Sequence, residues 1–258
     1  MRIARFTDGE DPRFGVVEGA PGQEVLHVVA GDPLYAPLQP TGETVRLEDV
    51  RLLAPTIPRS KVVGIGKNYA DHAAEMGGEP PSEPLVFLAP NTAVVGPDDP
   101  IVLPPFSTEV HYEGELAVVI GRICKDVPLE RVSDVVLGYT CANDVTARDV
   151  QRTDGQWARA KGFDTSCPIG PWIVTDLDPG DLRVTTRLDG RTVQDGRTSD
   201  MVFGVPELVS YVSRAFTLLP GDVLLTGTPA GVGPMDAGQR VEVEIEGIGV
   251  LANPVVRR

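Results

Sequence analysis

Short apolar stretches separated by glycine, proline and aspartate run through the chain, a spacing typical of β-strands joined by turns. The predicted N-terminal strands are Arg2–Phe6, Phe14–Glu18, Val25–Val29 and Val45–Leu53. Two prolines in Ala54–Pro58 favour an extended connection after them. We therefore predict a small β-rich N-terminal domain over residues 1–57 and a larger domain over residues 58–258.

The same pattern continues beyond residue 58, interrupted by a few helical stretches. The predicted strands are Lys61–Gly66, Leu85–Leu88, Val94–Gly96, Ile101–Leu103, Leu116–Ile120, a strand that begins at Gly138 and breaks at Asn143, Trp172–Val174, Val184–Leu188, Val223–Thr226 and Val241–Ile245. The predicted helices are Lys67–Gly78, Val127–Leu137, a turn beyond Asp144, and the amphipathic Pro206–Phe216. This pattern predicts a mixed α/β fold that is rich in β-strands.

Composition and charge narrow the class of protein. The 258 residues are 41% hydrophobic and carry a formal charge of −14, which disfavours nucleic acid and anionic membranes as partners. An anionic substrate would then need a local positive site. Cys124, Cys141 and Cys167 form no Cys-x-x-Cys pair, so we expect free thiols in a reducing compartment. The N-terminus lacks an apolar leader and no apolar run reaches membrane-spanning length, so we expect a cytoplasmic protein.

Two glutamates precede the most apolar predicted strand. Glu113 and Glu115 are two residues apart, so on a strand they project to the same side. Like charges placed together repel each other, and a hard divalent cation such as Mg²⁺ removes that cost. Gly114 between them allows close approach of another group. A solvated strand face is the alternative interpretation.

A histidine and a glutamate share a face of the helix predicted over Lys67–Gly78. His72 and Glu75 are three residues apart, and a histidine oriented by a carboxylate is a common general base near neutral pH. An incidental surface ion pair is the alternative. The glycine- and proline-rich segment over residues 77–84 suits a mobile cover over a site.

Further polar residues follow the strand that begins at Gly138. Asp144 is placed at or near a helix N-cap, where a carboxylate is at home for structural reasons, but it could also be a third metal ligand. Arg148 and Gln151 face the same way and could bind a substrate carboxylate or carbonyl, or form a solvated helix face. Lys161 is the cation that we expect in the site, although an exposed lysine is the simpler alternative.

A glycine-rich turn follows the strand Val223–Thr226. The stretch Gly227–Gly233 is not a nucleotide-binding loop of the Walker type, because no lysine follows its glycines. Its backbone N–H groups and the Thr228 hydroxyl could hold a carboxylate.

Five motifs, taken together and in order, strongly resemble those of the fumarylacetoacetate hydrolase family over roughly residues 60–258. They are G-K-N-Y-x-x-H-x-x-E (Gly66–Glu75), E-G-E-L-A-V-V-I-G (Glu113–Gly121), N-D-V-T-A-R-D-V-Q (Asn143–Gln151), A-K-G-F-D-T-x-C-P-I-G-P (Ala160–Pro171) and L-T-G-T-P-A-G-V-G (Leu225–Gly233). The N-terminal segment resembles the small variable domain of shorter bacterial members.

The resemblance implies a β-sandwich roll as catalytic domain, a homodimer and a Mg²⁺ site that could also take Mn²⁺ or Ca²⁺. Matched by position, the metal ligands are Glu113, Glu115 and Asp144; the pair that polarises a water is His72 and Glu75; Lys161 contacts the substrate; and further substrate contacts are Arg148, Gln151, Thr228 and Tyr69.

The reaction remains open, because one fold and site can serve several chemistries. The leading hypothesis is metal-dependent cleavage of the C–C bond of an acylpyruvate-like 2,4-dioxo acid, with a small anionic 2-oxo acid as substrate. The alternatives are an oxaloacetate decarboxylase and a 2-hydroxyhepta-2,4-diene-1,7-dioate isomerase or tautomerase. A non-catalytic ligand-binding protein is a further alternative, although the full set of polar residues argues against it.

Overall fold

Twenty β-strands and four α-helices form the described part of the chain, residues 1–257, in a computed structural model. The strands are β1 Arg2–Thr7, β2 Arg13–Glu18, β3 Val25–Ala30, β4 Gln39–Arg46, β5 Arg51–Leu53, β6 Val62–Gly66, β7 Leu85–Ala89, β8 Val94–Val95, β9 Ile101–Leu103, β10 Val110–Tyr112, β11 Gly114–Ile120, β12 Val136–Asn143, β13 Thr146–Ala147, β14 Cys167–Val174, β15 Arg183–Leu188, β16 Arg191–Arg197, β17 Val223–Leu225, β18 Gly233–Pro234, β19 Arg240–Ile245 and β20 Gly249–Arg257. The helices are α1 Ala70–Glu75, α2 Arg148–Thr153, α3 Ala158–Lys161 and α4 Val205–Ala215.

A large sheet runs through the molecule in the order β4-β3-β2-β1-β14-β12-β11-β17-β6-β7, with β5 paired to β1 and β8 paired to β14. The N-terminal strands belong to this sheet, because Arg2 and Ile3 of β1 pair with Val174 and Ile173 of β14. The sheet is therefore continuous across residue 57, and the division into two domains there stays a prediction.

A five-stranded sheet in the order β16-β15-β19-β20-β9 packs against the large one, and the short sheet β13-β10-β18 lies beside them. Strand β11 is central and all seven of its residues are buried. Its Leu116 and Val118 join the main core with Val243 of the second sheet, while Ala117 joins a second cluster with Val62 of β6. The predicted β-rich α/β fold is confirmed, and β11 is buried on both faces as expected.

Most predicted strands appear within a residue or two of their expected positions. The hairpin of β15 and β16 turns through Asp189 and Gly190, whose positive φ angles of 51° and 78° suit a type I′ turn. Helix α4 matches the predicted amphipathic helix, with Leu208, Val209 and Val212 buried. No α-helix within residues 1–257 is long and apolar enough to cross a membrane.

Three predicted elements and one predicted N-cap position are wrong in detail. The helix expected over Val127–Leu137 is instead a 3-10 segment, Leu129–Asp134. The predicted helix cannot continue to Leu137, because Val136 pairs with Ile120 and begins β12, and valine favours strands. The strand expected over Val45–Leu53 is split by a 3-10 turn into β4 and β5.

The helix expected over Lys67–Gly78 is the shorter α1, because Lys67 has a φ of 56° and Tyr69 is its N-cap. Asp144 is not near an N-cap, since Ala147 caps α2. Instead, the Asp144 backbone N–H donates to the carbonyl of Glu113 at 2.9 Å, which holds Asp144 against the segment that carries the two glutamates.

Candidate active site

Three carboxylates meet at the end of the central strand pair. Ligand oxygens of Glu113, Glu115 and Asp144 lie within 4.8 Å of one another. The pairing of β11 with β12 sets Gly114 opposite Asn143, which brings the segment carrying the glutamates next to the aspartate. The three residues are only 4%, 1% and 2% exposed, so the alternative of a solvated strand face for the glutamates is wrong.

Gly114 allows the close approach that its position predicted, and side chains of the second sheet make that approach. A Cβ on Gly114 would stand 2.1 Å from Thr186 Oγ1. The Gly114 N–H donates to Gln194 Oε1 at 2.9 Å, and Gln194 Nε2 donates to Thr228 Oγ1 at 2.8 Å. The five-stranded sheet thus supports the carboxylate cluster from behind.

Two buried cations neutralise part of the cluster. The Lys161 ammonium donates to Asp144 Oδ2 at 2.5 Å, to Glu113 Oε2 at 3.0 Å and to Thr146 Oγ1 at 2.7 Å. The Arg148 guanidinium forms an ion pair with Glu113 and donates to Gln151 Oε1 at 2.6 Å. Lys161 is therefore not the exposed lysine of the simpler alternative, and Arg148 does not lie on a solvated helix face.

The surroundings shift the pKa of each of the three carboxyl groups. Burial and the neighbouring Asp144 and Glu113 carboxylates raise its pKa well above the usual range. Burial also raises the pKa of Asp144 to about 6, against the opposing effect of Lys161. Burial opposes ionisation of Glu113 as well, but Lys161 and Arg148 outweigh it, so its pKa is lowered.

The donor set fits a hard divalent cation. Within residues 1–257, Glu115 has no ion-pair partner, and its carboxylate accepts the Gly227 backbone N–H at 2.7 Å. A cation among Glu113, Glu115 and Asp144 would stabilise the ionised Glu115 that burial now disfavours. All three donors are carboxylates, as such cations prefer.

His72 and Glu75 come together as the i, i+3 spacing predicted. His72 is buried, and its Nδ1 lies 3.3 Å from Glu75 Oε2. The Glu75 carboxylate also accepts the Gly231 backbone N–H at 3.1 and 3.2 Å. The glycine-rich turn over residues 227–233 thus binds carboxylates, as expected, but they are the protein's own Glu115 and Glu75.

A cavity of about 170 Å³ opens beside the cluster. Its lining is Ile65, Gly66, Lys67, His72, Met76, Glu113, Glu115, Arg148, Gln151, Arg152, Trp157, Lys161 and Thr228. This set unites most of the residues predicted from sequence. Asp144 and Glu75 lie behind the lining and hold Lys161 and His72 respectively.

Tyr69 and Thr228 are the two predicted substrate contacts whose surroundings differ from the expected ones. Tyr69 borders a separate surface cavity with Asp195 and Asp200, and its hydroxyl is buried without a hydrogen-bond partner within residues 1–257. Burial raises its pKa further above the usual range, so the phenol stays protonated. Thr228 lines the cavity, but its hydroxyl proton is donated to the Gly114 carbonyl at 2.8 Å.

Sequence reasoning missed Lys67, Arg152 and Trp157 in the lining and Gln194 behind it. Lys67 stands inside the first motif, so a cation next to the predicted base could have been noticed. Gln194 lies 80 residues from Gly114 on an edge strand, and no local pattern indicates that contact.

Comparison with known proteins identifies the family. Residues 61–256 match the family described as Fumarylacetoacetate (FAA) hydrolase C-terminal. The chain belongs to the fumarylacetoacetate hydrolase family. Residues 1–55 of this family member match a second family, described as Rv2993c-like, N-terminal. The protein is therefore an enzyme of the fumarylacetoacetate hydrolase family, as the motifs implied.

Relatives in the fumarylacetoacetate hydrolase family carry different activities in their names. The mitochondrial oxaloacetate tautomerase Fahd2a of Rattus norvegicus is 44% identical over 288 residues, which cover 99% of this chain and 92% of the relative. The crystal structure of 2-hydroxyhepta-2,4-diene-1,7-dioate isomerase from Mycobacterium marinum matches with a TM-score of 0.93 and 50% identity, covering 100% of this chain and 99% of that one. Fumarylpyruvate hydrolase from Pseudomonas aeruginosa, in complex with Mn²⁺ and pyruvate, matches with a TM-score of 0.73 and 35% identity, covering 80% and 98%.

Proposed function

We propose that this enzyme moves a proton between the enol and keto forms of a small 2-oxo acid, as a tautomerase or isomerase. One observation carries the proposal: His72, oriented by Glu75, faces the same small cavity as a buried cluster of three carboxylates. Proton transfer next to a 2-oxo group needs a positioned base and a centre that stabilises negative charge on oxygen. Two relatives that align over 99% or more of this chain are named as a tautomerase and an isomerase, which supports the proposal.

The stabilising centre would be a divalent cation held by Glu113, Glu115 and Asp144. We place Mg²⁺ first because all three donors are hard oxygens, with Mn²⁺ and Ca²⁺ as alternatives. When bound, the cation would supply Lewis-acid stabilisation of the charge that develops on an enolised 2-oxo acid. The Mn²⁺ in the related fumarylpyruvate hydrolase supports a divalent cation in this family.

His72 is the proposed base. The Glu75 carboxylate can only accept when ionised, so the proton on the His72 ring belongs on Nδ1, which faces it at 3.3 Å. Nε2 is then left with a lone pair, ready to take a proton from carbon and to return it to carbon or oxygen. Because His72 is 5% exposed, bulk water competes little for that proton.

The buried cations orient the substrate. Lys161 already holds Glu113 and Asp144, so its ammonium stands where a substrate oxygen would approach the cluster. Arg148 and Gln151 form a hydrogen-bonded pair in the lining and offer N–H donors to a carboxylate. The predicted roles of Arg148, Gln151 and Thr228 in substrate binding are proposals. The Thr228 hydroxyl proton is donated to the Gly114 carbonyl, so only its oxygen could accept a hydrogen bond from a ligand.

Hydrolysis of an acylpyruvate-like 2,4-dioxo acid is the second candidate. The same His72–Glu75 pair could polarise a water for attack on the distal carbonyl. The likeness to fumarylpyruvate hydrolase favours it, although at lower identity and over 80% of the chain.

Turnover of several 2-oxo acids by the Mg²⁺-loaded enzyme tests the proposal. We would follow the ketonisation of enol oxaloacetate by ultraviolet absorbance, beside oxaloacetate decarboxylation and acylpyruvate cleavage. His72→Ala should lower the favoured activity by about 10²–10⁴-fold, as expected for loss of a general base. His27→Ala is the matched control, because His27 lies on β3, its side chain is partly exposed and it does not line the cavity.

The outcomes separate the candidates. Ketonisation that depends on Mg²⁺ and His72 supports the tautomerase. Robust acylpyruvate cleavage beside ketonisation at the buffer rate would overturn the proposal in favour of the hydrolase. Unchanged metal affinity in His72→Ala would show that the loss of activity does not come from a damaged cluster.

A further inference from the structure

A second cavity, of about 640 Å³, lies between the N-terminal strands and the chain that follows them. Arg5 of β1 and Tyr35 of the loop between β3 and β4 face it from the first matched segment, and Asn91 faces it from the second. Its described lining shares no residue with that of the cavity beside the carboxylate cluster. The volume lies within the range of about 300–1,000 Å³ that is typical of small-molecule pockets.

Arg5 brings an unpaired charge to this cavity. Its side chain is half-buried and has no ion pair and no hydrogen bond within residues 1–257. Burial lowers the pKa of the Arg5 guanidinium, and the nearby Asp32 opposes that effect without forming an ion pair. Asp32 Oδ1 instead accepts the Leu34 N–H at 3.0 Å, so this carboxylate shapes the loop that carries Tyr35. A desolvated cation without a partner is costly, and a bound anion would supply the partner.

A second guanidinium is held in place at the same cavity. The Arg59 guanidinium carbon lies 4.1 Å from the centroid of the Tyr35 ring, and the Tyr35 hydroxyl fixes that ring by donating to the Pro220 carbonyl at 3.0 Å. Stacking on a ring leaves the N–H groups at the edge of a guanidinium available to a further group. Such a stacked pair is an ordinary surface contact when it stands alone. Here it shares its cavity with the unpaired Arg5.

Apolar side chains are exposed around the two arginines. Ile57 is 53% exposed and Tyr35 is 46% exposed, and both belong to the lining, as do the half-buried Phe14 and Leu34. A cavity that combines apolar walls with a few charged groups suits an organic ligand better than a bare inorganic ion.

We propose that this cavity binds a small organic molecule through an oxyanion group, a phosphate or a carboxylate, that Arg5 and Arg59 hold while its apolar part packs against Tyr35 and Ile57. Two arginines against one aspartate leave the described lining with a positive charge, in a chain whose formal charge is −14. The planar guanidinium can donate two parallel N–H groups to either oxyanion. The site is separate from the carboxylate cluster and does not depend on the reaction proposed there.

Titration calorimetry of the Mg²⁺-loaded protein with three probes tests the proposal. Phenyl phosphate and benzoate combine a ring with one of the two oxyanions, whereas inorganic phosphate has no ring. We expect saturable binding of phenyl phosphate or benzoate, and the tighter of the two identifies the oxyanion. Inorganic phosphate should bind at least about tenfold more weakly than the tighter probe, because it buries no apolar surface.

Arginine variants assign the binding to this cavity. Arg5→Met and Arg59→Met should each weaken binding of the tighter probe by about tenfold, at the lower end for hydrogen bonds to a charged group because both side chains are partly exposed. Arg122→Met is the matched control, since Arg122 is exposed and does not line the cavity, and it should leave binding unchanged. Arg5→Lys keeps the charge and should retain part of the affinity, so the test survives if Arg5→Met fails to fold.

Three results would overturn the proposal. The first is the absence of saturable binding of both ring-bearing probes at millimolar concentration. The second is binding that Arg5→Met and Arg59→Met leave intact, as binding beside the carboxylate cluster would be, or that Arg122→Met lowers equally. The third is inorganic phosphate that binds as tightly as phenyl phosphate and benzoate, which would exclude the apolar contacts.

Discussion

Adding one methyl group at Gly114 should disturb the carboxylate cluster. Its Cβ would stand 2.1 Å from Thr186 Oγ1 and 3.3 Å from both Gln194 Oε1 and Val243 Cγ1. Thr186 is fully buried on β15, which is paired on both sides with β16 and β19, so its backbone cannot move away. Because Gly114 separates Glu113 from Glu115, any shift there moves a predicted metal ligand.

The expected magnitude follows from two opposing effects. Overpacking of a closely packed core costs about 1–3 kcal/mol. Against this, Gly→Ala at a residue without a positive φ stabilises by about 0.4–1 kcal/mol, through the lower entropy of the unfolded chain. Overpacking dominates, so Gly114→Ala should lower the unfolding free energy by about 1–2 kcal/mol and weaken Mg²⁺ binding.

Double variants provide the control. In Gly114→Ala/Thr186→Ala the clashing Oγ1 is gone, and that hydroxyl has no hydrogen-bond partner within residues 1–257 to lose. Stability and metal affinity should largely recover. In Gly114→Ala/Thr186→Val a methyl replaces the hydroxyl, so neither should recover. Urea unfolding and calorimetry measure both quantities, and a Gly114→Ala protein as stable as the wild type would refute the packing argument.

Three further predictions concern the metal site and the assembly. Asp144→Asn should stay folded but bind Mg²⁺ more weakly by calorimetry, because an amide is a poorer ligand; full metal-dependent turnover would contradict the assignment. Since the pKa values of Glu115 and Asp144 are raised in the folded metal-free protein, the latter to about 6, that state binds protons that the unfolded chain does not. Its stability should therefore fall as pH rises from about 5 to 7, and a urea midpoint that is unchanged across that range would count against the pKa shifts. Light scattering should give twice the 27.5 kDa chain mass, whereas the chain mass alone would exclude the expected homodimer.

Much of the site could be predicted because its chemistry is encoded locally. Glu113 and Glu115 lie two residues apart beside an apolar strand, and His72 and Glu75 lie three apart on a helix, so short-range geometry alone brings each pair together. The ordered motifs then placed Asp144 and Lys161 with them, although they are distant in sequence.

The rest depends on contacts that no local pattern encodes. Thr186 and Gln194 reach Gly114 only because the second sheet packs against the first. The left-handed backbone of Lys67 shortens α1, and a lysine there carries no turn signal of the kind that glycine gives. Val132, Val135 and Val136 follow a helical spacing, yet Val136 pairs with Ile120 of β11 and begins β12.

Solvent exchange at carbon tests the central claim most directly. The claim is that His72, beside a metal held by the carboxylate cluster, moves a proton at the carbon next to the 2-oxo group. Proton NMR of 2-oxoglutarate in D₂O follows the replacement of its C3 protons by deuterium, without any bond cleavage in the probe. The Mg²⁺-loaded enzyme should accelerate this exchange, and both EDTA and His72→Ala should abolish most of the acceleration. Exchange at the buffer rate in a protein with Mg²⁺ bound, or acceleration that His72→Ala leaves intact, would contradict the account.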